Sequence, residues 1–336
     1  MTVTPAVPDL PESTAYSSPV PREFVHKSAH TEVLLTGWKQ LGEREFEVGA
    51  QWPRDHGYWR TGRGGVQDPM LLVETTRQVL PLLSHAAYRV PPDHQLIWDH
   101  HHCAFAAPLL RVTDRPAEVV LRLSVSHPPR PGGRLRRLAV KMTVTGEGRT
   151  LGTASTVFSA HSPEVYARLR GSRTRPPSEA MSAALPPPAP VVPALVARES
   201  EREVVLAPAG DESRRQLRVV TSSPWLFDHP VDHAPGMLLM EAARQCAHLV
   251  LQGRQSRLLH LVRMEAAFTR YVDLDEPAWV DWSEPSADGD SSGGAKEETL
   301  TVGITQRGVQ AFTAVVGFAS AAVLPGDGGT AGSQVR

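Results

Sequence analysis

Apolar residues along this chain form two stretches of helical spacing, and each is followed by four stretches of strand-like composition. The first helix is read over about Pro69–His85, where Leu71, Leu72, Thr75, Val79, Leu82 and Leu83 bury most of its circumference. The second is read over about Pro235–Leu251, with Met237, Leu238, Met240, Ala243, Ala247 and Leu251. Pro69 and Pro235 stand near the first helical turn, where proline is tolerated. Strands are predicted at Leu96–Ala107, Glu118–Ser126, Arg137–Glu147 and Arg149–Ala160 after the first helix. After the second they are predicted at Leu258–Phe268, Ala278–Ser283, Glu298–Gln306 and Val309–Ala319. One long apolar helix followed by four β-rich segments points to an antiparallel sheet wrapped around a central helix.

That unit is written twice. Met70-Leu71-Leu72-Val73-Glu74-Thr75-Thr76-Arg77-Gln78 returns as Met237-Leu238-Leu239-Met240-Glu241-Ala242-Ala243-Arg244-Gln245, with six of nine positions identical. The spacing is far longer than the roughly 20–50 residues of a solenoid unit and suits a small domain. Two α+β copies of one fold are therefore expected, pairing their sheets into an internal pseudo-dimer. The expected boundaries are a disordered Pro/Ser-rich segment over 1–24, a first repeat over 25–165, a Pro-rich linker over 166–198, a second repeat over 199–324 and a flexible tail over 325–336. Within the second repeat, 284–297 is rich in Gly, Ser and Asp and reads as a flexible hairpin loop.

Composition narrows the function classes. With 336 residues, 41% hydrophobic and 21% charged, and a formal net charge of −1, the chain reads as a globular protein without the basic excess of a nucleic-acid binder. Arg134, Arg136, Arg137 and Lys141 form a local basic cluster, and a solvated strand or loop accounts for it. Two cysteines, Cys103 and Cys246, make no disulfide framework. No apolar run reaches the roughly 18 residues of a membrane span, and the N-terminus lacks the plan of a secretory signal, so a cytoplasmic protein is expected. Asp99-His100-His101-His102-Cys103 lies on a strand, where only alternate residues share a face, and no matching ligands are spaced elsewhere. No metal and no cofactor are expected. Gly62-Arg63-Gly64-Gly65 lacks the strand and helix context of a nucleotide loop, and Ser84-His85 lacks that of a serine hydrolase.

The candidate chemistry sits on the duplicated helix. Positions i, i+3 and i+4 share a helix face, so Glu241, Arg244 and Gln245 project together, as do Glu74, Arg77 and Gln78. An internal ion pair explains such a triad as well as an active site does, because a buried carboxylate needs a partner in either case. The loop Phe227-Asp228-His229-Pro230-Val231-Asp232-His233-Ala234-Pro235-Gly236 brings two His and two Asp to the second helix, where a loop base and a helix acid can meet one substrate. The first repeat echoes it only through Asp55-His56 and Asp68-Pro69, so the second repeat is expected to carry the chemistry.

Pro235 through Gln245 resembles the central-helix segment of the hotdog-fold hydroxyacyl-carrier-protein dehydratases, but Arg244 stands where those enzymes carry a small residue. Over about residues 25–323 the chain more closely resembles the AfsA family, the A-factor biosynthesis enzymes of actinomycetes. The resemblance is carried by Val25-His26-Lys27 with Val33-Leu34-Leu35-Thr36, by Asp68 to Gln78, and by Asp228-His229 to Gln245. It implies two tandem hotdog domains and an acyltransferase. The implied reaction joins a β-ketoacyl group, carried as a thioester on acyl carrier protein, to the hydroxyl of dihydroxyacetone phosphate. The phosphorylated ester can then cyclise to a butenolide, the first step toward γ-butyrolactone or alkyl-furan signalling molecules that regulate secondary metabolism. On that resemblance Arg244 takes the phosphate or carbonyl, Glu241 accepts the hydroxyl proton, and Gln245 orients Glu241 or the substrate. The N–H groups near Gly236 and Met237 meet the oxyanion, and His229, His233 and Gln78 contact substrate. Glu74 and Arg77 form a second site, a degenerate one or a structural echo. Two other readings stay open: a hotdog dehydratase or thioesterase, and a non-catalytic acyl-lactone-binding regulator. A homodimer is also open.

Overall fold

Two nearly all-buried helices explain the architecture. The structure, a computed structural model, describes residues 16–60, 65–126, 135–252, 259–288 and 297–320. In chain order the first half contains β1 (Leu35–Gln40), β2 (Glu45–Trp52), α1 (Met70–Leu82), β3 (Gln95–Phe105), β4 (Ala117–Ser126), β5 (Arg137–Gly146) and β6 (Arg149–His161). Two short helices, α2 (Pro163–Arg170) and α3 (Pro177–Ser182), lead into the second half. It contains β7 (Leu206–Pro208), β8 (Arg214–Leu217), α4 (Gly236–Gln252), β9 (Leu259–Phe268), β10 (Trp279–Trp282), β11 (Ser286–Asp288), β12 (Glu297–Gln306) and β13 (Val309–Ser320). Every α1 residue except Arg77 is buried, as expected of a helix enclosed by a sheet. Its two threonines satisfy their hydroxyls on the Leu71 and Val73 carbonyls. Pro81 cannot donate to the helical ladder, and the chain widens into a π turn over Leu83–Ala87, so the regular helix ends earlier than its apolar spacing suggests.

Among the described residues the strands form one antiparallel sheet in the order β1-β2-β4-β5-β6-β3-β9-β13-β12-β10-β8-β7, with β11 beside β12. Read from either end to the middle, the two halves have the same strand order. The seam is β3 against β9, with His100 opposite Ala267 and Ala104 opposite Arg263. The chain therefore consists of two hotdog units joined edge to edge, each sheet half curled around its own helix. Among the described residues no helix is long and apolar enough to cross a membrane.

The repeat reaches further toward the N-terminus than the helix signature. Val25-His26-Lys27 and Val196-Ala197-Arg198 occupy equivalent corners, each ending a 3-10 turn with a left-handed residue, His26 (φ 52°) and Ala197 (φ 54°). A second 3-10 turn follows in both, over His30–Glu32 and Glu201–Glu203.

Three boundary expectations change. From Tyr16 onward the N-terminal segment is ordered: the Tyr16 hydroxyl donates to Glu47 at 2.6 Å, Val20 is buried, and its N–H reaches the Leu35 carbonyl. Tyr16 lies against Gly49, where a side chain would collide with its ring. Residues 1–15 are outside the described residues. The stretch 166–198 is folded onto the second repeat, with Arg170 buried between Asp232 and Asp273 and the Val191 N–H on the Leu206 carbonyl. Two of its prolines, Pro177 and Pro193, begin helical turns, as Pro163 does just before it. Of the 284–297 loop, Ser286–Asp288 is a strand, while 289–296 and the tail expected over 325–336 lie outside the described residues.

Candidate active site

Each helix triad nucleates the same polar centre. In the second repeat Glu241 accepts from Arg244 Nε and Nη2 (both 2.8 Å), from Arg198 Nε (3.0 Å) and Nη2 (2.7 Å), and from Gln245 Nε2 (2.6 Å). In the first repeat Glu74 accepts from Arg77 Nε and Nη2 and from Gln78 Nε2, all at 2.9 Å, with Lys27 Nζ at 3.0 Å. The glutamines are fixed alike. Gln78 bonds the Leu34 N–H and Glu32 carbonyl, and Gln245 bonds the Val205 N–H and Glu203 carbonyl. Burial alone would raise both carboxyls, but the paired cations outweigh it. Arg198 and Arg244 hold Glu241 at about 2, and Arg77 and Lys27 hold Glu74 well below the usual carboxylate range.

The surroundings of the two centres differ. Glu241 is fully buried, with Tyr58 and Trp59 packed over its cations: the Arg198 guanidinium lies 4.6 Å from the Tyr58 ring and 5.6 Å from that of Trp59. Tyr58 is itself fully buried and donates to the Glu203 carbonyl. His56 is turned inward, its Nδ1 accepting from the Tyr58 and Trp59 N–H groups. Asp68 caps the start of α1 through the Met70 N–H (2.9 Å) and lies 3.8 Å from Arg198. Glu241, Arg244 and Gln245, which the sequence reading expected to carry the chemistry, form here a buried ion cluster. Aromatic side chains from the other repeat close over it.

The Glu74 centre opens onto a cavity of about 750 Å³ between the repeats. Arg77 is 20% exposed where Arg244 is 7%. His26, Lys27, Glu74 and Arg77 line the cavity from the first repeat, and His229, His233, Gly236 and Met237 line it from the second. Val231 and Pro235 stand here where the sealed centre has Tyr58 and Asp68, so neither an aromatic plug nor a capping carboxylate fills the equivalent space. Asp228 ties the halves together by accepting from the Ser28 and Ala29 N–H groups, which sets His229 beside the Lys27 corner. Burial and then the Arg77 charge lower the His229 pKa, against the opposing pull of Asp228. His233 Nδ1 donates to Asp232 Oδ1 (2.7 Å), whose carboxylate is also held by Tyr166 and Arg170. Trp98 and Phe268 stack at 5.2 Å and form an apolar wall. Gly236 is required beside them, since a side chain there would meet Trp98 at 2.9 Å and Phe268 at 3.1 Å.

Six of the sequence-derived residues thus meet at one cavity: Glu74, Arg77, His229, His233, Gly236 and Met237. Gln78 stands behind Glu74. Lys27 and Arg198 had no role assigned from sequence, because they approach their carboxylates from far along the chain. Their signal was the paired Val25-x-Lys27…Glu32-Val33-x-Leu35 and Val196-x-Arg198…Glu203-Val204-x-Leu206. Trp52-x-x-Asp55-His56 and Trp225-x-x-Asp228-His229 likewise mark equivalent loops. His101 and Cys103 face the core on β3, with Cys103 Sγ 3.0 Å from His101 Nε2. No group of three or more His, Cys, Asp or Glu able to hold a metal occurs among the described residues.

The sequence profile of the A-factor biosynthesis hotdog domain matches residues 9–162 and 180–319, so Arg198 falls inside the second match. The chain is 42% identical over 265 residues to a 2-oxo-3-(phosphooxy)propyl 3-oxoalkanoate synthase of Streptomyces virginiae, covering 79% of this chain and 87% of that protein. It is 33% identical over 305 residues to the synthase of the same name from Streptomyces griseus, covering 89% and 95%. Similar solved structures include an acyl-ACP thioesterase from Bacteroides thetaiotaomicron (10% identity, 81% of this chain and 97% of that one, TM-score 0.46). Another is a pyran synthase domain of the sorangicin pathway (13% identity, 86% and 98%, TM-score 0.47).

Proposed function

The chain belongs to the A-factor biosynthesis hotdog family, and on that premise we propose that it joins a 3-oxoacyl thioester to dihydroxyacetone phosphate at the Glu74 cavity. The product named in its relatives is an ester, and the ester bond divides it into a 3-oxoacyl group and a phosphorylated hydroxypropanone. An activated acyl donor and the free hydroxyl of dihydroxyacetone phosphate supply those two parts, with a thiol leaving. Acyl carrier protein is the donor this reading favours.

The observation that carries the reading is the asymmetry between two equivalent centres, one plugged and one open. In the open one, Lys27 and Arg77 share the single Glu74 carboxylate, and Arg77 Nη1 has no partner among the described residues. A phosphate dianion finds there a planar guanidinium and an ammonium already fixed in place. Glu74 holds the two cations, and with its pKa held well below the usual carboxylate range it is too weak a base for the role that the resemblance assigned to Glu241. His229 faces the same anion from the opposite repeat. The thioester carbonyl lies toward the start of α4, where N–H groups near Gly236 and Met237 meet the oxyanion as it forms. The acyl chain runs along Trp98 and Phe268.

The test is mass spectrometry of the purified chain incubated with a 3-oxoacyl thioester, with and without dihydroxyacetone phosphate. A phosphorylated ester or its butenolide is expected only with both substrates. It should be reduced about 100-fold or more by Arg77→Ala, which removes a cation from the transferring substrate. Free acid or enoyl thioester formed without the phosphate partner would instead establish a thioesterase or dehydratase. Ligand binding without turnover at any chain length would establish a regulator.

A further inference from the structure

We propose that His26, fixed in one tautomer by His85, is the general base that takes the hydroxyl proton in the ester-forming step. The assignment rests on the acyl-transfer reading of the cavity. Attack by an alcohol on a thioester needs a proton acceptor with a free lone pair beside the bound hydroxyl. Glu74 is a poor one, since Lys27, Arg77 and Gln78 already hold and stabilise its carboxylate.

His26 lines the same cavity at the left-handed corner before Lys27. Its Nε2 lies 2.7 Å from His85 Nε2, and His85 Nδ1 lies 2.8 Å from the Val90 carbonyl oxygen. A carbonyl only accepts, so His85 Nδ1 carries the hydrogen and neutral His85 presents a lone pair at Nε2. The hydrogen between the two rings therefore belongs to His26 Nε2, and His26 Nδ1 keeps its lone pair. Among the described residues that Nδ1 makes no hydrogen bond. His85 reaches this position from the π turn after α1. In sequence the second repeat has Ala197 at the position of His26 and Gln252 at that of His85, so the two histidines occur together only in the repeat whose helix borders the open cavity.

His85, Arg77, His229 and the adjoining Lys27 are the titratable groups around the His26 ring. Burial, followed by the neighbouring His85 and the Arg77 charge, holds the ring neutral, with its pKa pushed down to about 3. A phosphate dianion on Arg77 and Lys27 offsets those charges and makes the imidazole more basic once the acceptor is bound. The proton account then balances. As the C–O bond forms, the hydroxyl proton passes to His26 Nδ1 while the Nε2 hydrogen shifts toward His85, whose positive charge faces the Val90 carbonyl. As the C–S bond breaks, the proton returns through His26 Nδ1 to the leaving sulfur, which departs as a thiol.

The full chain with His26→Ala tests this, because Ala197 shows that alanine is accepted at the equivalent left-handed corner. Single-turnover ester formation should fall about 100-fold or more, with the KM for dihydroxyacetone phosphate changed less than about threefold, and added imidazole should restore part of the rate. His85→Phe should lower kcat about tenfold and shift its acid limb, and His85→Gln, whose amide oxygen can accept from His26, should recover most of that loss. An unimpaired His26→Ala overturns the assignment. So does a loss that imidazole restores in His229→Ala but not in His26→Ala, which would make His229 the base. If the unmodified chain forms no phosphorylated ester at all, the acyl-transfer reading fails instead.

Discussion

Glu241 and Glu74 have the same kind of partners, yet their removal should do different things. Glu241→Gln leaves Arg198 and Arg244 buried, with only Asp68 at 3.8 Å as counter-charge. Breaking a buried pair from one side costs about 3–5 kcal/mol, so the melting temperature should fall by at least about 5 °C. The ester-forming rate per folded molecule should be retained. Glu74→Gln frees cations that already border the cavity, so a smaller stability loss should accompany a large fall in turnover. Paired thermal melts and rate measurements check both, and a Glu241→Gln enzyme that folds normally but is inactive would return the chemistry to the second repeat. The two triads were legible in the sequence because helix periodicity fixes which residues share a face. Which of them borders a cavity was not, because that depends on Tyr58, Trp59 and Asp68 from the opposite repeat, and no spacing rule links those residues to α4.

At the scale of elements, the loops before the two helices set the asymmetry. After Asp55-His56 the chain continues Gly57-Tyr58-Trp59, and after Asp228-His229 it continues Pro230-Val231-Asp232. The aromatic pair fills one pocket, and the smaller Val231 leaves the other open. Dihydroxyacetone phosphate should therefore bind at one site per chain in isothermal titration calorimetry, and binding should be lost in Arg77→Ala. Tyr58→Ala should cost about 3–5 kcal/mol as a buried aromatic truncation and leave the stoichiometry unchanged, since Asp68 still caps α1. Two sites in the native chain would contradict the plug. The long strands and both helices followed from alternation and helical spacing, which report one-sided and all-round burial. The π turn after Pro81 and the folded connector did not. Proline density reads as a linker even where some of the prolines start helical turns, as Pro177 and Pro193 do.

For the molecule as a whole, the β3–β9 seam makes one sheet of two repeats, so separating them would expose two unpaired strand edges. Groups that must stay unprotonated lie on the seam and in both helix layers, which ties folding to pH. Burial is the main cause that pushes His101 on β3, His248 on α4 and His26 at the cavity down to about 3 from an ordinary 6.5. Between those values the unfolded chain binds protons that the folded chain does not, so stability is full above about pH 6.5 and declines as pH falls. A second stage follows from the carboxylates. Burial opposes their ionisation, but Arg198 and Arg244 hold Glu241 at about 2, and His233, Tyr166 and Arg170 hold Asp232 at about 2. Their stabilisation is complete above the ordinary carboxylate range and is lost as pH falls toward 2. Melting temperature should therefore be level above about pH 6.5, decline gently below it, and drop more steeply below about pH 4.5. Glu241→Gln should flatten the steep stage, because the group that takes up the proton is gone. A melting temperature constant from pH 7 to pH 5 would mean that the three histidines are not held neutral in the fold.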